Sequence, residues 1–456
     1  MMPAFIDTHS HFAAVANEFL QVSLTNCTNF KEIQSKLLQY KMDNQIPDGK
    51  WIIARGYDFN WLKEKRNITK NEIDEVLPNN PVVIKNQSEH NGIMNSFALR
   101  ELNITNDTDS PIGGKIEKIN NELTGYLEEN AFIENLKRVP MPRIDELQNA
   151  FLKAEQKYAS NGITTAQEGF LTKELLNIYS SIFSSSKMNI EIIAYVDKNI
   201  LKEVEKNFSK NIKKYNNNLK INGIKIFLDG SPQAKTAWVR KPYEGEESNY
   251  GYGTMNDAQV LEAIETAYNK QMQILAHCNG DKAIEQYIKA IKSTKKEIKR
   301  IRPVLIHGQL MGLDQLKDIK DLEIIPSYFV AHTYYWGDIH IKNLGIERAN
   351  NISPTNSTKK QNIIFTLHQD SPVIEPNMLE TIWCAVNRKT LEGKTIGEME
   401  KIEVLDAIKA VTINAAYQYF EEKQKGSIKE GKYADLIILD KNPLKVKKEE
   451  IKKLKC

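Results

Sequence analysis

The chain contains 456 residues, and its 62 lysine and arginine residues nearly balance 59 aspartate and glutamate residues, leaving a formal net charge of +3. This balance excludes the basic composition that is typical of nucleic-acid binding. Hydrophobic residues account for 41% and charged residues for 27%, which excludes a disordered chain. Its four cysteines are far apart, no window approaches the ~20 apolar residues of a membrane span, and MMPAFIDTHSHF lacks signal-peptide features, so we expect a cytoplasmic protein without membrane partners.

Eight short apolar segments along the chain have the composition of β-strands. They are PAFIDTHSH, GITTAQEG, IEIIAYVD, INGIKIFLDG, QMQILAHC, RPVLIHGQ, LEIIPSYF and IIFTLHQD. Most are followed by amphipathic stretches long enough for crossover helices, such as IDELQNAFLKAEQKYA, DAQVLEAIETAYNK and DKAIEQYIKAIKS. Repeated strand–helix units predict a parallel sheet, and eight of them predict an α/β protein with a (β/α)8 TIM barrel.

The first strand–helix unit is interrupted by a long segment with its own strand and turn signals. WIIARGYDF, PVVIKNQ and PIGGKIEKINNELTGYL lie in it. We therefore predict a barrel formed by residues 1–29 and 141–418, an inserted α+β domain on the substrate side at residues 30–140, and a further segment outside the barrel at residues 419–456.

Most of the eight histidines follow a predicted strand, where barrel enzymes place their active sites. His9 and His11 close the first strand, and residues i and i+2 of a strand point to the same face, so both can bind one cation. Other candidate ligands lie on later strands: Lys225, His277, His307 and Asp370. Imidazoles and a carboxylate suit zinc, and Asp370 is also the candidate proton shuttle between water and the leaving amine.

Eight segments, in this order, resemble the amidohydrolase superfamily, and within it the YtcJ-like amidohydrolase-3 branch related to N-substituted formamide deformylase. They are FIDTHSHF, HNGIMNSFAL, GITTAQEG, KIFLDGSPQAKTAWVRKPY, AHCNGDKAI, RPVLIHGQ, LHQDSPV and GSIKEGKYADLIILDKNPL. The resemblance implies a metal-dependent hydrolase with one or two divalent ions, His9, His11 and Asp370 holding the more buried one. His277 and His307 would also bind metal. Lys225 would bridge two ions as a carbamate, because a bare ammonium repels a cation; a plain salt bridge is the alternative.

The resemblance also implies substrate contacts, each with a plainer alternative. His90 matches a substrate-facing histidine of the inserted domain, or else serves a local turn. His332 lies next to a run of aromatic residues and either shapes the substrate pocket or anchors a long loop. Arg240, in the lid-like segment that begins at Asp229, is a candidate contact for a carboxylate or carbonyl, although surface ion pairs are the commoner role of arginine.

Relatives are expected to carry a longer segment before the HxH strand, forming half of a β-sandwich that C-terminal strands complete. Here GSIKEGKYADLIILD would be the remnant of that sandwich, within residues 419–456. Either the start has been assigned too late, or the apolar edge at Leu436–Leu439 is uncovered.

These observations predict a metal-dependent hydrolase of a non-peptide C–N bond, of the amide or formamide type, acting on a small molecule by metal-activated water. Two alternatives stay open: a non-catalytic or regulatory member of the family, and a hydrolase of ester, lactone or phosphoester bonds. Members of this family often dimerise, so a homodimer is compatible with the resemblance.

Overall fold

The computed structural model describes residues 1–86, 91–185 and 188–456. It divides into two compact units, one formed by Met1–Val15 with Leu152–Cys456 and the other by Ala16–Phe151. The segment 30–140, predicted to be an inserted domain, lies within the second unit. No helix in the described part of the chain is long and apolar enough to cross a bilayer.

The strands are short and alternate with helices along most of the chain. In chain order they are β1 (Met2–Pro3), β2 (Phe5–Ile6), β3 (Val22–Ser23), β4 (Ile52–Tyr57), β5 (Val82–Asn86), β6 (Asn91–Met94), β7 (Gly114–Ile119), β8 (Glu122–Glu129), β9 (Ile163–Leu171), β10 (Glu191–Val196), β11 (Leu219–Phe227), β12 (Gln273–Cys278), β13 (Val304–His307), β14 (Ile325–Tyr328), β15 (Thr366–Leu367) and β16 (Leu436–Ile437).

The α-helices are, in the same order, α1 (Phe12–Glu18), α2 (Phe30–Asp43), α3 (Lys70–Asp74), α4 (Ser96–Glu101), α5 (Asn130–Leu136), α6 (Ile144–Ser160), α7 (Lys173–Ser185), α8 (Leu201–Asn207), α9 (Asp257–Asn269), α10 (Asp281–Ser293), α11 (Leu316–Asp321), α12 (His332–Tyr335), α13 (Gly337–Ala349), α14 (Thr355–Lys360), α15 (Met378–Asn387), α16 (Val404–Ala410) and α17 (Ile413–Gln418).

The first unit is an α/β structure around a curled sheet of eight parallel strands, in the order β2-β9-β10-β11-β12-β13-β14-β15. Strand β11 is buried along almost its whole length, as expected for a parallel sheet with both faces covered. Just beyond the two outer strands, the amide of Asp370 donates to the carbonyl of His9 (3.0 Å) and that of His11 to the carbonyl of Ser371 (2.7 Å). The ends of β2 and β15 therefore lie side by side.

The crossover helices follow from caps and apolar periodicity. Helix α9 begins with a capping box, in which Asn256 and Gln259 satisfy each other's backbone amides. Helix α10 buries Ala283, Ile284, Tyr287 and Ile291, which recur at helical spacing on one face. The predicted helices IDELQNAFLKAEQKYA, DAQVLEAIETAYNK and DKAIEQYIKAIKS correspond to α6, α9 and α10.

The second unit contains a six-stranded mixed sheet in the order β3-β4-β5-β6-β8-β7. Its first three strands are parallel and its last three antiparallel to their neighbours. Alternate residues of β5 enter different apolar clusters: Ile84 lies with Ile33 of α2, and Val83 with Leu99 of α4 and Phe132 of α5. The sheet is thus covered on both faces, because successive strand residues point in opposite directions.

The C-terminal strand has a partner. Strand β16 pairs antiparallel with β1, with Met2 opposite Ile437 and Pro3 opposite Leu436. Ile437 is buried, whereas Ile438 is 73% exposed. The expectation of an unpaired strand at Leu436–Leu439 is therefore corrected, since residues before the HxH strand supply a short pairing segment; the apolar side chain of Ile438 stays on the surface.

Candidate metal centre

Three predicted ligands meet where β2 and β15 end. The Nε2 atoms of His9 and His11 each lie 3.5 Å from Oδ1 of Asp370. One ligand atom from each of the three residues falls within a group no wider than 4.8 Å. Two imidazole nitrogens and a carboxylate oxygen at this spacing form a donor set suited to a divalent transition metal.

The imidazole of His9 is oriented by Gln167 in the middle of β9. The amide nitrogen of Gln167 donates to the carbonyl of Thr8 (2.7 Å) and to the hydroxyl of Tyr419 (2.8 Å), so its oxygen is left to accept from Nδ1 of His9 (2.6 Å). Nδ1 therefore carries the proton, and Nε2, which lies 3.5 Å from Oδ1 of Asp370, keeps its lone pair. Metal-binding histidines use this tautomer and this kind of hydrogen bond.

A second carboxylate faces His11. Oε1 of Glu168 lies 3.8 Å from Nδ1 of His11, while Oε2 accepts from the amide of Ala13 (2.9 Å) and the hydroxyl of Tyr179 (2.7 Å). Burial alone would lower the pKa of His11, but Asp370 and Glu168 outweigh it and raise that pKa to about 9. The pocket thus favours a positive charge at this imidazole.

Asp370 has one carboxylate oxygen that receives no hydrogen bond from the described residues. Its Oδ1 is buried and has no hydrogen-bond partner among the residues that the structure describes. Burial opposes ionisation of the carboxyl, but His11, His9 and His307 hold its pKa well below the usual range. A buried carboxylate oxygen without a partner is costly, and a cation between it and the two imidazoles would satisfy all three groups.

Two of the predicted site residues have unusual backbone conformations. The φ angle is +73° at His307 and +56° at Asp370, in the left-handed region that residues other than glycine seldom adopt. Such strain costs on the order of 1–3 kcal/mol for each residue and is concentrated at functional sites.

Lys225 reaches the same cluster from β11. Its Nζ lies 3.1 Å from Nε2 of His9, and within the described parts of the chain it forms no ion pair with a carboxylate. Burial lowers the pKa of Lys225 to about 7, with Asp370 acting in the opposite direction. The neutral amine, which is the form that can be carboxylated, therefore makes up about half of the Lys225 population near pH 7.

His307 and His277 extend the cluster along the sheet. Nε2 of His307 lies 3.8 Å from Oδ2 of Asp370, and the rings of His307 and His277 are 4.7 Å apart. On its other side, Nδ1 of His307 lies 3.2 Å from Nε2 of His368. Burial lowers the pKa of His368 to about 3, so this third ring is neutral. The fold therefore brings all six predicted metal ligands into one neighbourhood, while their roles as ligands stay a prediction.

Asp229 organises the loop that follows His277 at the end of β12. Its carboxylate accepts from the backbone amides of Asn279 (2.9 Å), Gly280 (2.7 Å) and Trp238 (3.0 Å), and Oδ1 lies 3.3 Å from Nδ1 of His277 without hydrogen-bond geometry. A Cβ atom on Gly280 would lie 1.9 Å from the carbonyl oxygen of Trp238, so this close approach requires glycine.

The predicted substrate contacts have different outcomes. His332 is buried, its ring 4.2 Å from that of Phe329, 5.4 Å from Trp336 and 6.1 Å from His307. Arg240 instead donates to Glu285 (3.1 Å) and Asp314 (2.8 Å). Its guanidinium is thus occupied by carboxylates, as in the alternative interpretation. His90 lies outside the described residues.

Sequence reasoning missed Gln167 and Glu168 as parts of the site. Both lie in GITTAQEG, and a Gln-Glu pair at the end of an apolar strand was the available signal. The glycine that follows has a steric role: a Cβ on Gly169 would lie 2.6 Å from Cε1 of His9. Ser327 was also missed; its hydroxyl lies 2.8 Å from Nδ1 of His368.

A curled eight-stranded parallel sheet with a histidine–aspartate cluster at the carboxyl ends of its strands defines a metal-dependent hydrolase type of site. The amidohydrolase family profile matches residues 1–456, and this chain belongs to that family. The resemblance seen in the sequence segments is thereby confirmed.

Two curated relatives are similar over nearly the whole chain. Amidohydrolase YtcJ of Bacillus subtilis is 27% identical, with 98% of this chain and 85% of the relative aligned. N-substituted formamide deformylase of Arthrobacter pascens is 23% identical, with 100% and 86% aligned. A solved metal-dependent hydrolase from Pyrococcus horikoshii superposes with a TM-score of 0.80 at 24% identity, covering 98% of this chain and 87% of that one, which supports the fold.

Proposed function

We propose that this protein is a metal-dependent hydrolase that cleaves a non-peptide C–N bond of the amide or formamide type in a small molecule. The observation that carries the proposal is the unpartnered Oδ1 of Asp370, 3.5 Å from Nε2 of both His9 and His11, in a member of the amidohydrolase family. We propose zinc as the ion, because the donors are imidazole and carboxylate.

The proposed fold behind this site is a closed (β/α)8 barrel. The two backbone hydrogen bonds that join the ends of β2 and β15 support closure, and the hydroxyl of Thr8 adds a third link by donating to the carbonyl of Leu367 (3.1 Å). Closure would bring the ligands of the first and eighth strands together in a fixed geometry, which a catalytic metal site needs.

The ion would be held by His9, His11 and Asp370, and a second one by His277 and His307, with a carboxylated Lys225 shared between the two. When bound, such an ion polarises a substrate carbonyl and lowers the pKa of water toward ~7. Carboxylation of Lys225 is supported by its lowered pKa and by its distance of 3.1 Å from Nε2 of His9.

Asp370 moves the proton in this proposal. One carboxylate oxygen faces the His9–His11 pair and the other faces His307, so the group lies between the two halves of the cluster. It would accept a proton from the attacking water and return it to the departing nitrogen. Gln167 and Glu168 hold the two imidazoles while this happens, so little reorganisation accompanies the proton transfer.

A C–N bond is preferred over an ester because one relative of nearly full-length coverage is an N-substituted formamide deformylase. The aromatic cluster of buried Phe329 and His332 with half-buried Trp336, beside His307, supports a substrate with an apolar substituent on nitrogen or carbonyl.

The test is a panel of N-formyl amines, N-acyl amines and matched esters, assayed with the zinc-loaded protein and with Asp370→Asn. Loss of the shuttle should lower kcat by about 10²–10⁴-fold on amides, while elemental analysis still finds zinc. Asp321→Asn, an exposed carboxylate paired with Lys317, is the matched control and should be fully active. Turnover of esters alone would refute the C–N assignment, and no turnover of any substrate would favour the non-catalytic alternative.

A further inference from the structure

A cavity lies at the amino ends of the sheet strands, away from the candidate metal centre. Its volume is about 870 Å³, and it is lined by Lys220 and Asn222 at the start of β11 and by Gln273 at the start of β12. His277, the last residue but one of the same strand β12, follows Gln273 by four residues, which corresponds to about 13 Å along a strand. An occupant of this cavity would therefore be separate from a substrate at the metal centre.

The floor of the cavity contains a buried ammonium group with an unused donor. Lys220 is 4% exposed and donates to Glu421 and to the carbonyl of Tyr419 (3.2 Å). An ammonium has three N–H donors, and the third has no acceptor among the residues that the structure describes. Nζ of Lys220 lies 4.9 Å from the ring centre of Tyr215. The buried hydroxyl of Tyr215 lacks a hydrogen bond of normal geometry to any residue that the structure describes, including Glu421.

The mouth of the cavity is positively charged. Lys213 and Lys214 are exposed there and form no ion pair with any residue that the structure describes. Arg300 also lines the cavity, and its guanidinium is paired with Glu297. Glu421 is the one carboxylate among the lining residues, and it is already paired with Lys220 and Lys425. The unbalanced charge at the mouth attracts anions.

Aromatic rings form much of the wall. They are Tyr215, Tyr268, Tyr419, Phe420 and Tyr433. Flat side chains next to cationic groups bind planar rings by stacking, and the volume lies in the range of small-molecule sites, about 300–1,000 Å³. Charge and aromatic surface together specify a ligand that contains both an anionic group and a planar ring.

We propose that this cavity is a binding site for a small organic anion carrying a planar ring, of the kind represented by a nucleoside monophosphate or an aryl phosphate. Its anionic group lies toward Lys213, Lys214 and the third N–H of Lys220, and its ring against the tyrosine faces. Because the cavity lies at the other end of the strands, binding does not require the metal.

The experiment is isothermal titration calorimetry of the full-length protein with AMP and phenyl phosphate, with and without EDTA. Adenosine and inorganic phosphate are titrated separately, so that the ring and the anion are tested on their own. We expect a Kd below about 1 mM for at least one aromatic anion, unchanged by EDTA, and binding at least tenfold weaker for the two halves.

The double variant Lys213→Glu/Lys214→Glu should weaken binding by about tenfold or more, because it removes charge-assisted contacts at an exposed rim. Lys317→Glu, an exposed lysine on α11, is the matched control and should bind as the unmodified protein does. The proposal is overturned if neither aromatic anion binds below about 1 mM, if EDTA abolishes binding, or if the charge-reversed variant binds equally well.

Discussion

Replacing Gln167 by leucine tests whether the hydrogen bond to His9 prepares the metal site. The substitution keeps a similar volume but removes three contacts: to Nδ1 of His9 (2.6 Å), to the carbonyl of Thr8 (2.7 Å) and to the hydroxyl of Tyr419 (2.8 Å). All four residues are buried, so water cannot replace what is lost.

The expected magnitudes follow from these contacts. Tyr419 keeps its bond to the carbonyl of Asp7 (2.8 Å), whereas Nδ1 of His9 loses its acceptor. The carbonyl of Thr8 still accepts from Gln418 (3.2 Å). One buried donor is thus left unsatisfied, which costs about 1–3 kcal/mol of folding free energy. An imidazole no longer held in its tautomer should also bind metal about 10–100-fold more weakly.

The assay is a zinc titration against a competing chelator, combined with urea unfolding in the presence of EDTA. Gln286→Leu is the matched control: this buried glutamine on α10 donates to the carbonyl of Met255 (2.9 Å) and to Asp257 (3.0 Å), outside the candidate metal centre. The control should lose stability and keep its zinc affinity. An unchanged zinc affinity in Gln167→Leu would refute the reasoning, because the hydrogen bond to His9 would then have no influence on the ligand.

Three further predictions concern groups outside the ligand set. Gly280→Ala should disturb the loop that follows His277, because the new Cβ would lie 1.9 Å from a backbone oxygen. We expect a loss of about 1–3 kcal/mol in the free energy of unfolding and a lower kcat. Arg388→Met should cost about 3–5 kcal/mol in urea unfolding, since this buried side chain donates to three backbone carbonyls. Burial raises the pKa of Glu421, but two buried lysines outweigh burial and lower that pKa below its ordinary value. The ionised carboxylate therefore stabilises the folded protein above the unfolded-state pKa of about 4.3, and this stability should be lost as pH falls through the lower folded-state pKa.

Each of these has its own contrary result. Normal kcat in Gly280→Ala would mean that the loop can shift without moving His277. Arg143→Met, at an exposed arginine, is the control for Arg388→Met and should leave the free energy of unfolding almost unchanged. A loss below about 1 kcal/mol in Arg388→Met would show that the three carbonyls find other donors. For Glu421→Gln, unfolding curves between pH 7 and pH 3 should lose part of the acid dependence, and an unchanged dependence would contradict the assigned lowering of its pKa.

The order of strands and helices was predictable from the sequence, because both depend on neighbours a few residues apart. Apolar runs bounded by turns indicated the eight strands of the curled sheet, and the 3.6-residue period indicated α9 and α10. The pairing of His9 with His11 was predictable for the same reason, since their common face follows from a spacing of two residues.

The weaker predictions concern positions whose partners are distant in sequence. The role of Arg240 as a substrate contact stays a prediction, and its ion pair with Asp314, 74 residues away, is not indicated by any residue near it in the sequence. Strand β16 was expected to lack a partner, although it pairs with residues at the opposite end of the chain. Contacts of this kind depend on how elements pack, which local pattern does not encode.

Sequence alone therefore determined the residue types of the candidate site, the strands that present them and the family resemblance that the whole-chain match confirmed. Only the tertiary structure decided their chemistry. It brought Gln167 to His9 across 158 positions, aimed an unpartnered oxygen of Asp370 at two imidazoles, and buried Lys225 so that its pKa falls to about 7. Burial and distance set protonation and tautomer, and both exist only once the parallel strands have been brought side by side.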